Sequence, residues 1–135
     1  MSTAFVLGNG ESRKIFPIEK LKGAGTIYGC NAIYRDNPDL CDAIISVNPE
    51  MTEELQQAAS ENKINSNTKI YGKDNLPDFS YVLEADPKND RFRFWSGTNL
   101  KTNASRKLDL SVARGSGCSA IQVACNDNHE NIFII

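Results

Sequence analysis

At 135 residues the chain has room for one domain, and its 40% hydrophobic residues and formal charge of -2 exclude an intrinsically disordered class. A sequence pI near 5.4 argues against a general nucleic-acid binder, which carries an excess of basic charge. No apolar run reaches the length that spans a bilayer and no charged-then-apolar leader opens the chain, so a cytoplasmic protein is expected.

Ala4-Phe5-Val6-Leu7 is a short apolar run stopped by Gly8-Asn9-Gly10, the pattern of a buried parallel strand ending in a tight turn. A short helical segment broken by Pro17 follows, with Ile18 and Leu21 turned inward. Residues 25–30 form a second strand ending at Asn31, and residues 42–47 a third ending at Asn48-Pro49. Asn48 is a natural N-cap for the next helix, with Pro49 at its first position and Glu50, Glu53 and Glu54 near its positive end. Met51, Leu55, Ala58 and Ala59 recur at helical spacing, and the helix should fade near Glu61-Asn62. Lys69-Ile70-Tyr71 is the fourth strand.

Residues 72–114 are expected to form a less regular insertion or lid, because turn chemistry dominates at 76–77, 86–90 and 96–99. Phe92 and Phe94 alternate with Arg91 and Arg93 as in a short exposed strand or hairpin. Phe79, Tyr81, Phe92, Phe94 and Trp95 give the segment aromatic surface with which to dock. Gly115-Ser116-Gly117-Cys118-Ser119 then opens a helix whose apolar positions are Cys118, Ile121, Ala124 and Cys125, with Ala120 and Val123 beside them. Asn131-Ile132-Phe133-Ile134-Ile135 is expected as a final buried strand. Alternating strands and helices predict one α/β domain over 1–135: a Rossmann-like three-layer fold with a mainly parallel sheet.

The four cysteines at 30, 41, 118 and 125 have no Cys-x-x-Cys spacing and only His129 to join them, so reduced packing thiols are expected rather than a metal site. Asp109 and Asp127 are not spaced as a metal pair either, and no cofactor is expected. Cys118 at a helix start would be the thiol to test as a nucleophile, but no histidine is visibly placed as its base. His129 reads as a helix C-terminal cap.

In a parallel sheet Asn9, Asn31 and Asn48 follow three successive strands and point at one edge, where such sheets bind ligands. Gly8 and Gly10 let backbone N–H groups approach an anion. The dinucleotide fingerprint needs a third glycine and an acid after the second strand, and Arg13 and Asn31 stand in those places. That argues against an NAD site and points to a mononucleotide. Asparagine joins donors and an acceptor in one side chain and can read a base or ribose without adding charge beside phosphate. Asn31 and Asn48 also suit plain capping roles. Gly115, Ser116 and Gly117 form a second anion-binding candidate beside Arg114, with an ordinary N-cap as its simpler explanation.

Val6-Leu7-Gly8-Asn9-Gly10-Glu11-Ser12, Tyr28-Gly29-Cys30-Asn31, Val47-Asn48-Pro49 and Gly115-Ser116-Gly117 before an Ile-rich strand occur in an order that resembles the bacterial CMP-sialic-acid-dependent sialyltransferases and related motility-associated glycosylation proteins. The resemblance implies nucleotide contacts for Gly8, Asn9, Gly10, Ser12, Asn31 and Asn48, and phosphate or ribose contacts for Gly115, Ser116 and Gly117. The family continues into a Gly-x-Asp segment and a lid bearing a histidine base, whereas this sequence stops at Ile135. Either it is the nucleotide-binding part of a longer protein, or a minimal relative that binds without that chemistry. The expected function is therefore binding of a cytidine nucleotide or CMP-sugar, with glycosyl transfer as the chemistry if there is any. The alternative is a non-catalytic small-ligand-binding or protein-interaction domain. A second copy covering the sheet edge after the last strand would make a homodimer.

Overall fold

Ala4 and Val6 are buried within a four-residue strand, β1 (Thr3–Val6), in a computed structural model that describes residues 2–10, 14–73, 82–86, 89–96 and 116–135. The short apolar runs that follow it become β2 (Thr26–Cys30), β3 (Ala43–Ile45) and β4 (Lys69–Lys73), each paired in parallel with the strand before it. A hairpin of β5 (Val82–Asp86) and β6 (Asn89–Ser96) extends the sheet, with β6 parallel to β4 and β5 antiparallel to β6. The last strand, β7 (Asn131–Ile134), returns to pair in parallel on the far side of β1. The order is β5-β6-β4-β3-β2-β1-β7. The sheet is thus mainly parallel and the chain is an α/β protein.

Helix α1 (Pro49–Ser60) crosses from β3 to β4, and α2 (Ser116–Asn126) leads into β7. The chain advances outward from β1 to β4 but comes back past β1 to reach β7. Crossovers of one hand made in opposite directions put their helices on opposite faces. The core divides accordingly. On one face Ile27, Ile44 and Ile70 pack with Leu55, Ala58 and Ala59 of α1. On the other, Val6, Tyr28 and Ile45 pack with Ala120, Val123 and Ala124 of α2. Alternation along each strand supplies both faces, and the result is three layers.

Two short connections need no full helix. After Pro17 a 3₁₀ turn, Ile18–Leu21, buries both of its apolar residues as expected, and a second, Asn31–Arg35, buries Ile33 and Tyr34. The Asn48 cap, Pro49 at the first turn and the end of α1 near Glu61 also agree with the sequence pattern. Among the described residues, no helix is long and apolar enough to cross a membrane.

Two expectations are corrected. The final strand is an edge strand rather than a buried one, with Phe133 53% and Ile134 67% exposed, because its neighbour on one side is β1 and on the other there is no strand among the described residues. The buried face of α2 is Ser119, Ala120, Val123 and Ala124, whereas Cys118 and Cys125 are exposed. At 100° per residue positions 119, 120, 123 and 124 share one side of the helix, and positions 118 and 125 fall on the opposite side. The buried cysteines are Cys30 and Cys41, and all four are free thiols. Within the 72–114 stretch, residues 72–73 finish β4, and the antiparallel pair of β5 and β6 agrees with the strand or hairpin expected around Phe92 and Phe94. Phe79 and Tyr81 lie outside the described residues.

Candidate functional site at the carboxyl edge of the sheet

The turn after β1 is clasped from both sides. Leu7 N donates to Tyr28 O at 2.8 Å, and Gly8 N donates to Ile135 O at 2.8 Å. Past Gly8 the chain leaves the sheet, and the side-chain amide of Asn9 donates to Cys30 O at 3.3 Å. That contact joins the first turn to the end of β2. The next residue, Asn31, has φ +53°, a left-handed conformation that asparagine tolerates better than most L residues. Such backbone is sparsely populated and concentrates at sites that something else over-determines.

The end of β3 is more tightly built than its sequence suggests. Ser46 is fully buried; its hydroxyl donates to Asn48 O and accepts from Asn48 N, both at 3.2 Å. Thr52, also buried, donates its hydroxyl to the same Asn48 O at 2.9 Å. Asn48 Oδ1 accepts from Glu50 N at 2.8 Å, satisfying one of the orphan donors of α1. The capping role foreseen for Asn48 is therefore in use, while the residue remains exposed.

Both helix N-termini face this edge, since each helix runs antiparallel to the strands it connects. Their dipoles add positive potential where the strands end. Of the sequence-derived site residues, Gly8, Asn9, Gly10, Asn31, Asn48, Ser116 and Gly117 are brought to the carboxyl edge. Ser12 and Gly115 lie outside the described residues, as do Arg13 and Arg114. Ser46 and Thr52 were not singled out from sequence, although Ser-x-Asn-Pro before a helix is a hydroxyl-rich capping pattern that carried the signal.

Two glycines at this edge have no packing reason to be glycine among the described residues. There a methyl on Gly8 would meet only Ile135 O at 3.4 Å, an ordinary contact, and a methyl on Gly117 would meet nothing within 4 Å. Helical glycine costs about 1 kcal/mol relative to alanine.

The amino edge carries different chemistry. Tyr28 OH donates to Asp127 Oδ2 at 2.6 Å and lies 2.8 Å from His129 Nε2. The single hydroxyl hydrogen goes to the carboxylate, so Nε2 carries the imidazole hydrogen and donates to the phenol oxygen. His129 Nδ1 then holds a buried lone pair with no partner among the described residues. Burial, reinforced by Asp127, holds the Tyr28 phenol far above its ordinary range. His129 is thus part of a side-chain network and not the helix cap. Asn128, at φ +62° with its N–H on Cys125 O, and Asp127, with its N–H on Val123 O, close the helix instead.

A groove of about 810 Å³ also opens at the amino edge, beside Tyr34, Arg35, Asp39 and Lys63. Its cations are already paired, Arg35 with Glu54 and Lys63 with Glu61 at 2.8 Å. Little positive charge is left there for an anion.

Compared with protein-family models, with curated proteins and with solved structures, the chain matches none.

Proposed function

We propose that the chain binds a nucleotide, most specifically a cytidine nucleotide or CMP-sugar, in the crevice at the strand carboxyl ends. The observation that carries this is topological. Strand order reverses at β1, which has β2 on one side and β7 on the other, and Gly8-Asn9-Gly10 leaves the sheet at that switch point. Open parallel sheets bind ligands there. Support comes from the left-handed Asn31 next to it, from the two helix N-termini, and from Gly8 and Gly117, whose missing side chains leave room for a close phosphate. The cytidine preference rests on the motif order that resembles the CMP-dependent sialyltransferases. A cytoplasmic location and homodimer formation belong to the same proposal.

Thermal-shift measurement against CMP, CDP, CTP and CMP-sugars tests it, because a ligand bound only by the folded state raises the melting midpoint. A shift that disappears in Asn31→Gly is expected; glycine accepts the left-handed backbone, so this variant removes the carboxamide without straining the main chain there. No shift with any nucleotide at millimolar concentration rules the proposal out.

A second reading, a binding domain without transfer chemistry, is favoured by one observation. The only histidine, His129, is held by Tyr28 at the amino edge, at the opposite end of the strands from the crevice. Under it, nucleotide binding persists while neither hydrolysis nor transfer from a CMP-sugar is detected.

A further inference from the structure

The two edges of the sheet are built differently. At one end β5 carries Glu84 and Asp86, and its register with β6 shifts between Ala85 and Asp86. Charges and bulges are the usual protection against edge-to-edge pairing. At the other end β7 reads Asn-Ile-Phe-Ile in unbroken register with β1, with no charge, proline or bulge.

Its main-chain groups divide by parity. Asn131 N donates to Ser2 O at 3.2 Å, Ile135 N to Val6 O at 2.9 Å, and Ile135 O accepts from Gly8 N. Odd-numbered residues therefore bond β1, and the N–H and C=O of Ile132 and Ile134 point to the other side, where no strand lies among the described residues. Both faces at that edge are apolar. Phe133, stacked on Phe5 with ring centroids 5.7 Å apart, lies on the α1 face. Ile132 packs on the α2 side, and alternation puts the exposed Ile134 there too.

We propose that β7 pairs antiparallel with β7 of a second copy, about a two-fold axis through Phe133, continuing the sheet across the dimer. Self-complementarity identifies the occupant as a second copy. Ile-Phe-Ile reads the same in both directions, so the axis sets Ile132 opposite Ile134 of the other copy, and Ile134 opposite Ile132. The outward groups of these pairs make four main-chain hydrogen bonds. Phe133 then faces Phe133 of the other copy as a non-hydrogen-bonded pair on the same face. An axis through Ile132 instead sets Glu130 against an isoleucine, and one between Ile132 and Phe133 sets outward groups against groups already bonded to β1. Of these three axes the one through Phe133 satisfies backbone and side chains together, in the isologous form that a two-fold requires.

Sedimentation velocity over a concentration series, with the full chain, reads the oligomeric state. The wild type is expected to sediment as a dimer. Ile134→Lys and Ile134→Pro are expected to be monomeric with unchanged far-UV circular dichroism, because the N–H lost in the proline variant points away from β1. Register is read by Phe133→Cys with the exposed Cys118 and Cys125 replaced by serine. Cα atoms of a non-hydrogen-bonded pair lie about 4.5 Å apart, within disulfide range. Mild oxidation should link Phe133→Cys into a covalent dimer and leave Asn131→Cys unlinked. A wild type that stays monomeric overturns the proposal, as does a dimer that survives both Ile134 variants or links through position 131 as readily as 133. The cross-linking arm decides the matter even if an Ile134 variant does not fold.

Discussion

The hydroxyl of Tyr28 donates to Oδ2 of Asp127 at 2.6 Å, joining β2 to the residue that follows α2 across 99 positions of sequence. With His129 Nε2 on the same oxygen, Tyr28 ties the exit of α2 and the entry of β7 to the centre of the sheet. Tyr28→Phe leaves a carboxylate and an imidazole N–H without their shared partner. The expected loss is about 1–3 kcal/mol of unfolding free energy, read by urea denaturation. A change within about 0.3 kcal/mol would mean that solvent replaces the phenol at no cost.

Gly72 in β4 lies against the Thr52 side chain of α1, so a methyl there would overlap the threonine Cγ2. Gly72→Ala should destabilise by about 1–3 kcal/mol, the usual range for overpacking. Thr52→Ser keeps the hydroxyl that reaches Asn48 O and removes the obstructing methyl. The double variant should therefore recover part of the loss, and simple additivity in denaturation midpoints would show that the two side chains do not meet.

Most of the sheet was legible because the apolar runs at 4–7, 43–47 and 69–71 end in turn residues, and strand length follows from that punctuation. The three strand-end asparagines were legible for the same reason. The exposure of β7 was not, since an all-apolar run reads alike in the middle and at the edge of a sheet. What decides between them is strand order, a long-range property. The α2 face is hard to read from sequence because Cys118 and Cys125 count as apolar and Ser119 as polar, so the apolar pattern points to the side opposite the one that packs on β1 and β2. Asn31's left-handed backbone and the Ser46–Asn48–Thr52 clasp depend on neighbours that no local pattern announces.

Stability should depend on pH at both ends of the range. Glu54 accepts from Tyr34 and Arg35, and the Tyr34 hydrogen bond, opposed by slight burial, holds its carboxyl below the ordinary value of 4.5. A depressed carboxyl contributes above its unfolded value and loses that contribution as pH falls through its folded one. Because the group is partly exposed, the contribution is only about 0.5 kcal/mol. Tyr34→Phe should flatten the acid limb between about pH 5 and 3 by that amount, seen in denaturation midpoints. Tyr28 works in the opposite sense: its raised value makes stability fall as pH rises beyond about 10, where the unfolded phenol ionises. Tyr28→Phe should remove that alkaline loss.

Gly8→Ala and Gly117→Ala distinguish a ligand's need for space from the fold's. Neither added methyl meets an obstructing atom among the described residues, so Gly8→Ala should leave the melting midpoint nearly unchanged. Gly117→Ala, inside α2, should raise stability by about 0.5–1 kcal/mol. Both should diminish the nucleotide-induced shift if phosphate approaches these backbones. Undiminished shifts in both would move the ligand away from the glycine turns.

Asn48→Asp separates capping from binding at one residue. The carboxylate keeps an acceptor for Glu50 N and suits the positive end of α1, so stability should be held or slightly raised. Asn48→Ala, by contrast, should cost about 1 kcal/mol by leaving that donor without its cap. A negative charge set beside a bound nucleotide repels its phosphates, and at about 4 Å in a partly solvated crevice the repulsion is on the order of 1–4 kcal/mol. Calorimetric titration with CMP should therefore show Asn48→Asp weakened at least several-fold at full stability. Affinity equal to the wild type would confine Asn48 to its cap and leave the end of β3 outside the ligand's reach.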